Sequence, residues 1–338
     1  MTISPRLASD SSSPAKVGQG VTYVDAVEGD VGQRLDNYLL RILKNVPKSH
    51  IYRVVRKGEV RINGKRAKPE TRLALGDKVR IPPIHVDQAP PRSVPSQALQ
   101  QFITDAILFE DKDLLIVNKP PGVAVHGGSG LAFGVIEALR AARPELIELE
   151  LVHRLDRDTS GVLLIAKRRA ALRELHAAMR EREMTKRYLA LVCGRWELGK
   201  KRIDLPLLTN QKQGGERMVR VHPEGVSALS TFVPEQHFGK HASLMAIEIG
   251  TGRTHQIRVH SAYAGHPVAG DEKYGNKAGN EALKVFGLKR MFLHAQSLEF
   301  IHPSTGQVFS ISAPLSDELT QVLENLKNAS AKGRRSEA

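Results

Sequence analysis

The chain has 338 residues, a composition close to that of globular proteins in general (41% hydrophobic, 25% charged) and a net charge of +14. The single cysteine, Cys193, excludes a disulfide scaffold and a thiolate metal cluster within one chain, and no apolar run approaches the roughly 18 residues of a membrane span. The length predicts two domains, the charge favours a polyanionic partner, and the cysteine usage fits a reducing, cytoplasmic compartment.

The first segment, residues 1–20, is rich in serine, proline and glycine and shows no periodicity, so we expect a disordered tail. Residues 32–81 then predict a small module of two helices and a hairpin. In its second helix, SHIYRVVRK, Ser49 is a candidate N-cap and Gly58 a candidate C-cap. The dipeptide Asn63-Gly64 that follows is a strong signal for a two-residue hairpin turn.

This module carries most of the excess positive charge. Between Val31 and Arg80 there are 14 lysine and arginine residues against four acidic residues. A solvated surface normally mixes both signs, so the imbalance favours contact with a nucleic acid over a merely solvated face. The second helix supplies the candidate RNA-binding residues Arg53, Arg56 and Lys57, of which the two arginines share a face at i, i+3.

A proline-rich stretch, residues 82–100, predicts a semi-rigid linker between this module and the rest of the chain. Residues 102–326 mix strands rich in valine, isoleucine and leucine with a few amphipathic helices. The strands cluster in runs instead of alternating with helices, which favours an α+β fold built on a mostly antiparallel mixed sheet with flanking helices. Residues 328–338 predict a second flexible tail.

The segment densest in chemistry is LVHRLDRDTSGVLLIAK, in which two apolar strands flank a polar turn. The turn holds two carboxylates, Asp156 and Asp158, with arginines beside the first. One interpretation is a β-turn capped by Asp, Thr and Ser side chains. The other is a single carboxylate that acts as a nucleophile or base. Asp158 fits a turn residue better, because side chains two apart on one strand do not flank a substrate.

Two further stretches carry candidate site residues. In GTGRTHQIRVH a helix holds Arg258, which either pairs with a buried carboxylate or is an ordinary surface arginine. In KRYLALV, Tyr188 either stacks on a base or belongs to the core. The string HGGSG, residues 126–130, lacks the lysine of a phosphate-binding loop and predicts a flexible loop. The 13 histidines show no metal-ligand spacing.

The strings VNKPPG, HRLDRDTSG, KRYLALV and GTGRTHQIRVH, in this order, resemble the RluA-type pseudouridine synthase family. Residues 153–161 fit the family pattern HRLDxxTSG without departure, and the likeness spans about residues 104–325. The module at 32–81 looks like the S4 RNA-binding domain found on several members. VPKSHIYRVVRKGEVRINGKR, AVHGGSG and LVHRLDRDTSGVLL look closest to members that act on 23S ribosomal RNA.

The resemblance implies an enzyme that isomerises specific uridines of 23S ribosomal RNA, or of its assembly intermediates, to pseudouridine. The target base is flipped out of its stack, because it cannot rotate inside it. The family assigns the first Asp of its motif, Asp156, the attack on C1′ or the removal of the C2′ proton. Tyr188 packs on the base and assists loss of the C5 proton. Arg258 holds Asp156 charged and oriented, and Arg154 fills the gap left by the base.

The resemblance also sets expectations about other groups. The reaction involves no redox change, so we expect no cofactor and no metal, and we expect a monomer. Two other functions are considered. A non-catalytic RNA-binding protein would have been free to lose Asp156, Tyr188 or Arg258. A glycosidase or nucleosidase using Asp156 and Asp158 would release free base or sugar and would leave the basic module unexplained.

Overall fold

The computed structural model of the chain describes residues 20–43, 46–84, 94–128, 131–213 and 216–336. The chain divides into two compact units, Met1–Ser93 and Val94–Ala338. The tail predicted for residues 1–20 lies outside the described residues except for Gly20, and so does the centre of the predicted linker, residues 85–93. No helix of the described part is long and apolar enough to cross a bilayer.

The first unit packs two helices against a small sheet. Its elements are strand β1 (Thr22–Asp25), a 3-10 turn (Glu28–Asp30), helices α1 (Leu35–Ile42) and α2 (Lys48–Lys57), and strands β2 (Arg61–Ile62), β3 (Lys65–Arg66) and β4 (Lys78–Ile81). The strands lie in the order β1-β4-β2-β3, and each pairing is antiparallel. Buried side chains of both helices, such as Leu39 and Ile51, share one hydrophobic core with Val79 of β4. The predicted module of two helices and a hairpin is confirmed.

Local signals in this unit act mostly as the sequence predicts. Asn63 and Gly64 have φ of 49° and 77°, the paired positive values of a type I′ turn, and Gly58 closes α2 with φ of 74°. The predicted N-cap is wrong. Pro47 caps α2, and its carbonyl oxygen accepts a hydrogen bond at 2.9 Å from the N–H of His50, so Ser49 lies within the first turn.

The second unit is built on a large sheet with helices packed around it. The helices are α3 (Gln97–Asp105), α4 (Val135–Ala142), α5 (Arg169–Glu181), α6 (Gln256–Tyr263), α7 (Lys277–Lys284) and α8 (Asp317–Ser336). The strands are β5 (Ile107–Glu110), β6 (Leu114–Lys119), β7 (Glu150–Leu151), β8 (Ser160–Ala166), β9 (Thr185–Cys193), β10 (Lys201–Asp204), β11 (Leu207–Gln213), β12 (Glu216–Val221), β13 (Leu229–Phe238), β14 (Ala242–Ile249), β15 (Leu293–Ile301) and β16 (Val308–Ser312).

Ten of these strands form one sheet. Its main path is β10-β13-β14-β9-β15-β8-β6-β5, with β16 beside β15 and β7 beside β8. The pairing of β8 with β15 is parallel, and the other pairings between its described strands are antiparallel. Strands β11 and β12 form a separate hairpin. The predicted α+β fold with a mostly antiparallel mixed sheet is confirmed.

Strand β8 lies in the interior and is covered on both faces. All seven of its residues are buried. Leu163 belongs to a large hydrophobic cluster that includes Trp196, whereas Leu164 packs with Leu175 of α5 in another. A strand covered on both faces reads as a continuous apolar run, which explains why VLLIA shows no alternation.

Two predicted boundaries are wrong. Helix α3 begins at Gln97, inside the stretch predicted as linker, because the Ser96 side chain accepts a hydrogen bond from the N–H of Leu99 and caps the helix. Helix α8 continues to Ser336 instead of giving way to a flexible tail at residue 328. Alanine, lysine and arginine are frequent in that stretch and are strong helix formers, and the fully buried Leu326 anchors the turn before it.

Candidate active site

The segment between β7 and β8 is held at its start by a histidine. Nε2 of His153 accepts a hydrogen bond at 3.0 Å from the backbone N–H of Leu164 in β8. Burial of the ring, reinforced by the nearby Lys186 ammonium, lowers the pKa of His153 to about 4. The imidazole is therefore neutral at neutral pH, which leaves Nε2 free to accept, and it ties the start of the segment to β8.

A buried lysine holds the other end of this segment. Lys119, the last residue of β6, is fully buried, and its Nζ donates to the carbonyl oxygens of Pro120, Val123 and Arg157 at 2.8, 2.8 and 2.9 Å. Burial lowers the pKa of this ammonium to about 7. The three carbonyls match the three donors of the charged form, so they favour it against burial. Because Arg157 follows Asp156 directly, the contact fixes the backbone beside that carboxylate.

Asp156 and Arg258 are brought together from distant parts of the chain. Oδ2 of Asp156 lies 3.2 Å from Nη1 of Arg258 on α6, 102 positions later. The side chains are 18% and 10% exposed, so the pair is largely shielded but remains open to a small ligand. Arg258 therefore pairs with a carboxylate, which is the first of the two interpretations of this arginine given from the sequence, and it is not an ordinary surface arginine.

A second carboxylate, Asp271, orients Arg258 from behind. Nε and Nη2 of Arg258 donate to Oδ2 and Oδ1 of Asp271 at 2.7 and 2.9 Å, and the Asp271 side chain is fully buried. Burial works against both charges, but the hydrogen bonds of the pair, aided by Asp156, raise the pKa of Arg258. The same bonds lower the pKa of Asp271 against burial. The bidentate pair therefore aims the remaining Nη1 at Asp156.

Tyr188 and Arg154 line the same pocket as this pair. Tyr188 stands on β9 between Ile247 of β14 and Ala295 of β15, and it is 8% exposed. Burial and the charge of Asp156 raise the pKa of its hydroxyl, which keeps the phenol protonated at neutral pH. Arg154 is exposed. The other lining residues are Leu155, Thr159, Ile249, Gly252, Arg253, Thr254, His255, Gln256, Ile257 and Leu293.

His255 and Tyr274 complete the surroundings of Asp156. Nε2 of His255 lies 3.9 Å from Oδ2 of Asp156, and Nδ1 lies 2.7 Å from the Tyr274 hydroxyl. The guanidinium of Arg258 stacks over the Tyr274 ring at 5.1 Å. Sequence reasoning missed Lys119, Asp271 and Tyr274 as site residues. Lys119 stands in VNKPPG, one of the strings that carry the family resemblance, but Asp271 and Tyr274 lie in a stretch with no pattern of its own.

The predicted RNA-binding residues Arg53, Arg56 and Lys57 lie on α2 in the first unit, where all three are exposed. Arg56 lies 6.0 Å from the centre of the Tyr52 ring, and Lys57 is 3.9 Å from Glu59 at the surface. Contacts between exposed side chains contribute little to stability and are easily exchanged for others. Arg56 and Lys57 therefore remain available to a ligand.

Within the described residues, no group of three His, Cys, Asp or Glu side chains is arranged to hold a metal ion. The predicted loop at 126–130 is described only to Gly128. Its first glycine is already engaged, because the N–H groups of Gly127 and Gly134 both donate to Oε2 of Glu137, at 3.0 and 2.8 Å.

Comparisons with known proteins identify the families that the two parts of the chain match. Residues 113–263 match the RNA pseudouridylate synthase family and residues 33–79 match the S4 domain. The chain is 53% identical over 313 residues to ribosomal large subunit pseudouridine synthase C of Escherichia coli (strain K12), with 91% of this chain and 98% of that protein covered. It is 55% identical over 306 residues to the protein of the same name from Yersinia pestis, with 90% and 95% covered.

Solved structures give the same picture of the fold. Human RNA pseudouridylate synthase domain containing 4 superposes with a TM-score of 0.57 at 24% identity, over 68% of this chain and 96% of that one. Human RNA pseudouridylate synthase domain containing 1 gives a TM-score of 0.51 at 28% identity, over 66% and 94%.

Proposed function

The chain belongs to the RNA pseudouridylate synthase family, and on that premise we propose that it converts specific uridines of large-subunit ribosomal RNA to pseudouridine, with Asp156 as the reacting carboxylate. The ribosomal substrate is inferred from the relatives named for it and from the matched S4 domain. Such a substrate places the enzyme in the cytoplasm.

The observation that carries the proposal is the single carboxylate in the pocket, clamped by an arginine that is itself fixed. Arg258 cannot turn away from Asp156 without breaking its two bonds to Asp271. A carboxylate held in this way is pre-oriented for attack or proton removal.

The isomerisation needs few groups. The bond from C1′ to N1 breaks, and its electron pair stays with the uracil ring. Asp156 either bonds to C1′ through a carboxylate oxygen or takes the proton from C2′. The ring then turns and C5 bonds to C1′, as the bond from Asp156 to C1′ breaks on the first route or as Asp156 returns the proton to C2′ on the second. C5 loses its proton and N1 gains one, so product and substrate have the same composition. In this scheme Tyr188 packs on the ring and assists departure of the C5 proton.

The base must leave its stack before this chemistry can begin. Unstacking costs a few kcal/mol, which contacts between basic side chains and phosphates must offset. Arg154, which is exposed at the pocket, is proposed to fill the gap left by the base. In the first unit Arg53, Arg56 and Lys57 are proposed to contact the RNA backbone.

Tritium release from 23S ribosomal RNA labelled at C5 of uridine tests the proposal. We expect release by the wild type and none by Asp156→Asn, which keeps the shape of the side chain but removes its charge. Asp158→Asn is the matched control, since Asp158 is half exposed and paired with Arg157 at the surface. This control is expected to retain nearly full activity.

Three results would contradict the proposal. Release by Asp156→Asn at the wild-type rate would remove the carboxylate from the chemistry. Tight binding of 23S ribosomal RNA without release by the wild type, on this RNA and on its assembly intermediates, would favour a non-catalytic RNA-binding protein. Formation of free uracil would instead indicate a nucleosidase.

A further inference from the structure

His255 lines the pocket, yet the proposed reaction scheme gives it no part. It has a positive φ of 54°, a conformation that non-glycine residues rarely adopt outside sites that hold them in place. The 3.9 Å from its Nε2 to Oδ2 of Asp156 exceeds hydrogen-bond length, so this nitrogen does not bond to that carboxylate. A strained residue therefore presents one ring nitrogen to the pocket.

The hydrogen-bond network favours a proton on that nitrogen. The backbone N–H of Val219 donates to the Tyr274 hydroxyl oxygen at 3.0 Å, so the hydroxyl proton is free to point elsewhere. Burial raises the pKa of Tyr274, which keeps that proton in place. The hydroxyl lies 2.7 Å from Nδ1 of His255 and can donate this proton to it. Nδ1 is then an acceptor, and in a neutral ring the proton must be on Nε2.

The ring is neutral in these surroundings. Burial lowers the pKa of His255, Arg258 and Lys273 lower it further, and Asp156 and Asp271 oppose them. A neutral ring with Nδ1 occupied offers one donor, the Nε2–H, at the place where Asp156 meets its substrate.

We propose that the Nε2–H group of His255 donates a hydrogen bond to O2 of the flipped uracil, and that Tyr274 fixes the tautomer that makes this possible. The inference rests on the proposed function, because it takes the flipped uridine as the ligand of the pocket.

The chemistry selects O2. Asp156 must reach C1′ or C2′, and O2 is the uracil oxygen next to N1, on the same side of the ring as the sugar. A donor 3.9 Å from the Asp156 carboxylate is within reach of O2 when the carboxylate contacts the sugar. When the bond from C1′ to N1 breaks, the electron pair spreads over N1 and the carbonyl oxygens. A fixed donor at O2 stabilises that charge without itself losing a proton, on either route open to Asp156.

Two variants test the donor through their kinetics. Both put a non-glycine residue at the positive φ of position 255, so the backbone is strained equally in the two. His255→Leu removes it, and we expect kcat to fall about 100-fold with KM nearly unchanged, as for loss of one oriented donor to developing charge. His255→Gln places an amide N–H near the position of Nε2, and we expect kcat within about tenfold of the wild type. An unchanged kcat in His255→Leu would overturn the inference, as would a loss confined to KM.

The tautomer is tested without any turnover. Nitrogen-15 NMR of the labelled full-length protein is expected to show His255 neutral with its proton on Nε2. Tyr274→Phe keeps the ring that Arg258 stacks on but removes the hydroxyl, and we expect the Nδ1–H form to become populated and kcat to fall. A proton on Nδ1 in the wild type would overturn the assignment.

A synthetic hairpin carrying a mapped target uridine, or 2-thiouridine in its place, tests the acceptor. Sulfur is a weaker hydrogen-bond acceptor than oxygen, so kcat of the wild type is expected to fall with the thio substrate. His255→Leu already lacks the donor, so its kcat is expected to change little between the two substrates. Equal decreases in both proteins would overturn the contact with O2. These outcomes are separate from tritium release by the wild type and by Asp156→Asn, which decides the proposed function.

Discussion

His153 sets a pH limit on the folded state. The ordinary pKa of histidine is 6.5, whereas burial lowers that of His153 to about 4. Between these values the unfolded chain binds a proton that the folded chain does not. We therefore expect the free energy of unfolding to fall as the pH drops from 6.5 to 4, by about 3 kcal/mol for this residue, and to be unaffected by it above 6.5. Urea unfolding at several pH values measures the slope.

His153→Gln isolates this contribution from that of the other histidines. The glutamine carbonyl oxygen can accept the N–H of Leu164 as Nε2 does, but it does not titrate. The variant is expected to show a shallower pH dependence in the window from 6.5 to 4. Parallel curves for the two proteins would refute the role of His153.

The sequence predicts a site residue only where that residue stands within a local motif. Asp156 stands in a dense local motif, and its partner Arg258 stands in another. Asp271 cannot be found in this way, because its function follows from a contact with Arg258 that no spacing encodes. His255 was visible within its motif, but its tautomer depends on the hydroxyl of Tyr274 and on the backbone of β12.

Among the elements, the parallel pair β8 and β15 depends on one glycine. Gly161 has φ of 110°, and a Cβ at this position would lie 2.2 Å from the carbonyl oxygen of Ala295. Gly161→Ala must therefore separate the two strands or distort them. We expect it to lower the free energy of unfolding by about 3 kcal/mol or more and to reduce activity, because β8 follows directly after the Asp156 segment.

Gly306→Ala is the matched control for this substitution. Gly306 also has a positive φ, 67°, but nothing lies within 4 Å of its would-be Cβ. The control isolates the backbone cost, which we expect to be about 1 kcal/mol. Equal destabilisation of the two variants, measured by urea unfolding, would show that the close approach to Ala295 is not what constrains Gly161.

The sequence predicts helices and strands well where they show strong periodicity or a clear apolar run. It predicts their first and last residues, and the strands that pair with one another, less well. The runs in β6, β8 and β9 identified strands correctly. The linker prediction overran the start of α3, because its prolines outweighed the single capping signal of Ser96. The parallel pairing of β8 with β15 could not be predicted, since periodicity reports which face is buried and not which strand lies alongside.

At the scale of the whole molecule, the uneven charge predicts how RNA affinity depends on salt. The combined variant Arg53→Gln, Arg56→Gln and Lys57→Gln removes three exposed cations from the first unit. We expect KM for ribosomal RNA to rise about tenfold with kcat unchanged. The slope of log K against log salt is expected to fall by about 0.7 for each phosphate that no longer meets a cation. Tritium release over a range of salt concentrations measures both quantities.

A second triple variant controls for net charge alone. Lys277, Lys284 and Lys289 are exposed in the second unit, and their replacement by glutamine removes the same charge from another surface. If both triple variants raise KM equally, the effect is one of total charge and α2 has no special part in binding.

The length of chain between the strands that meet at the site has a consequence during synthesis. The Ser160 hydroxyl of β8 contacts Nδ1 of His294 in β15 at 2.9 Å, and the two residues are 134 positions apart. At 5–20 residues per second, a ribosome needs roughly 7 to 27 seconds to add the intervening residues. Throughout that interval β8 has no β15 to pair with, so a nascent chain exposes an apolar strand edge. It needs protection from aggregation until β15, which begins at Leu293, has emerged.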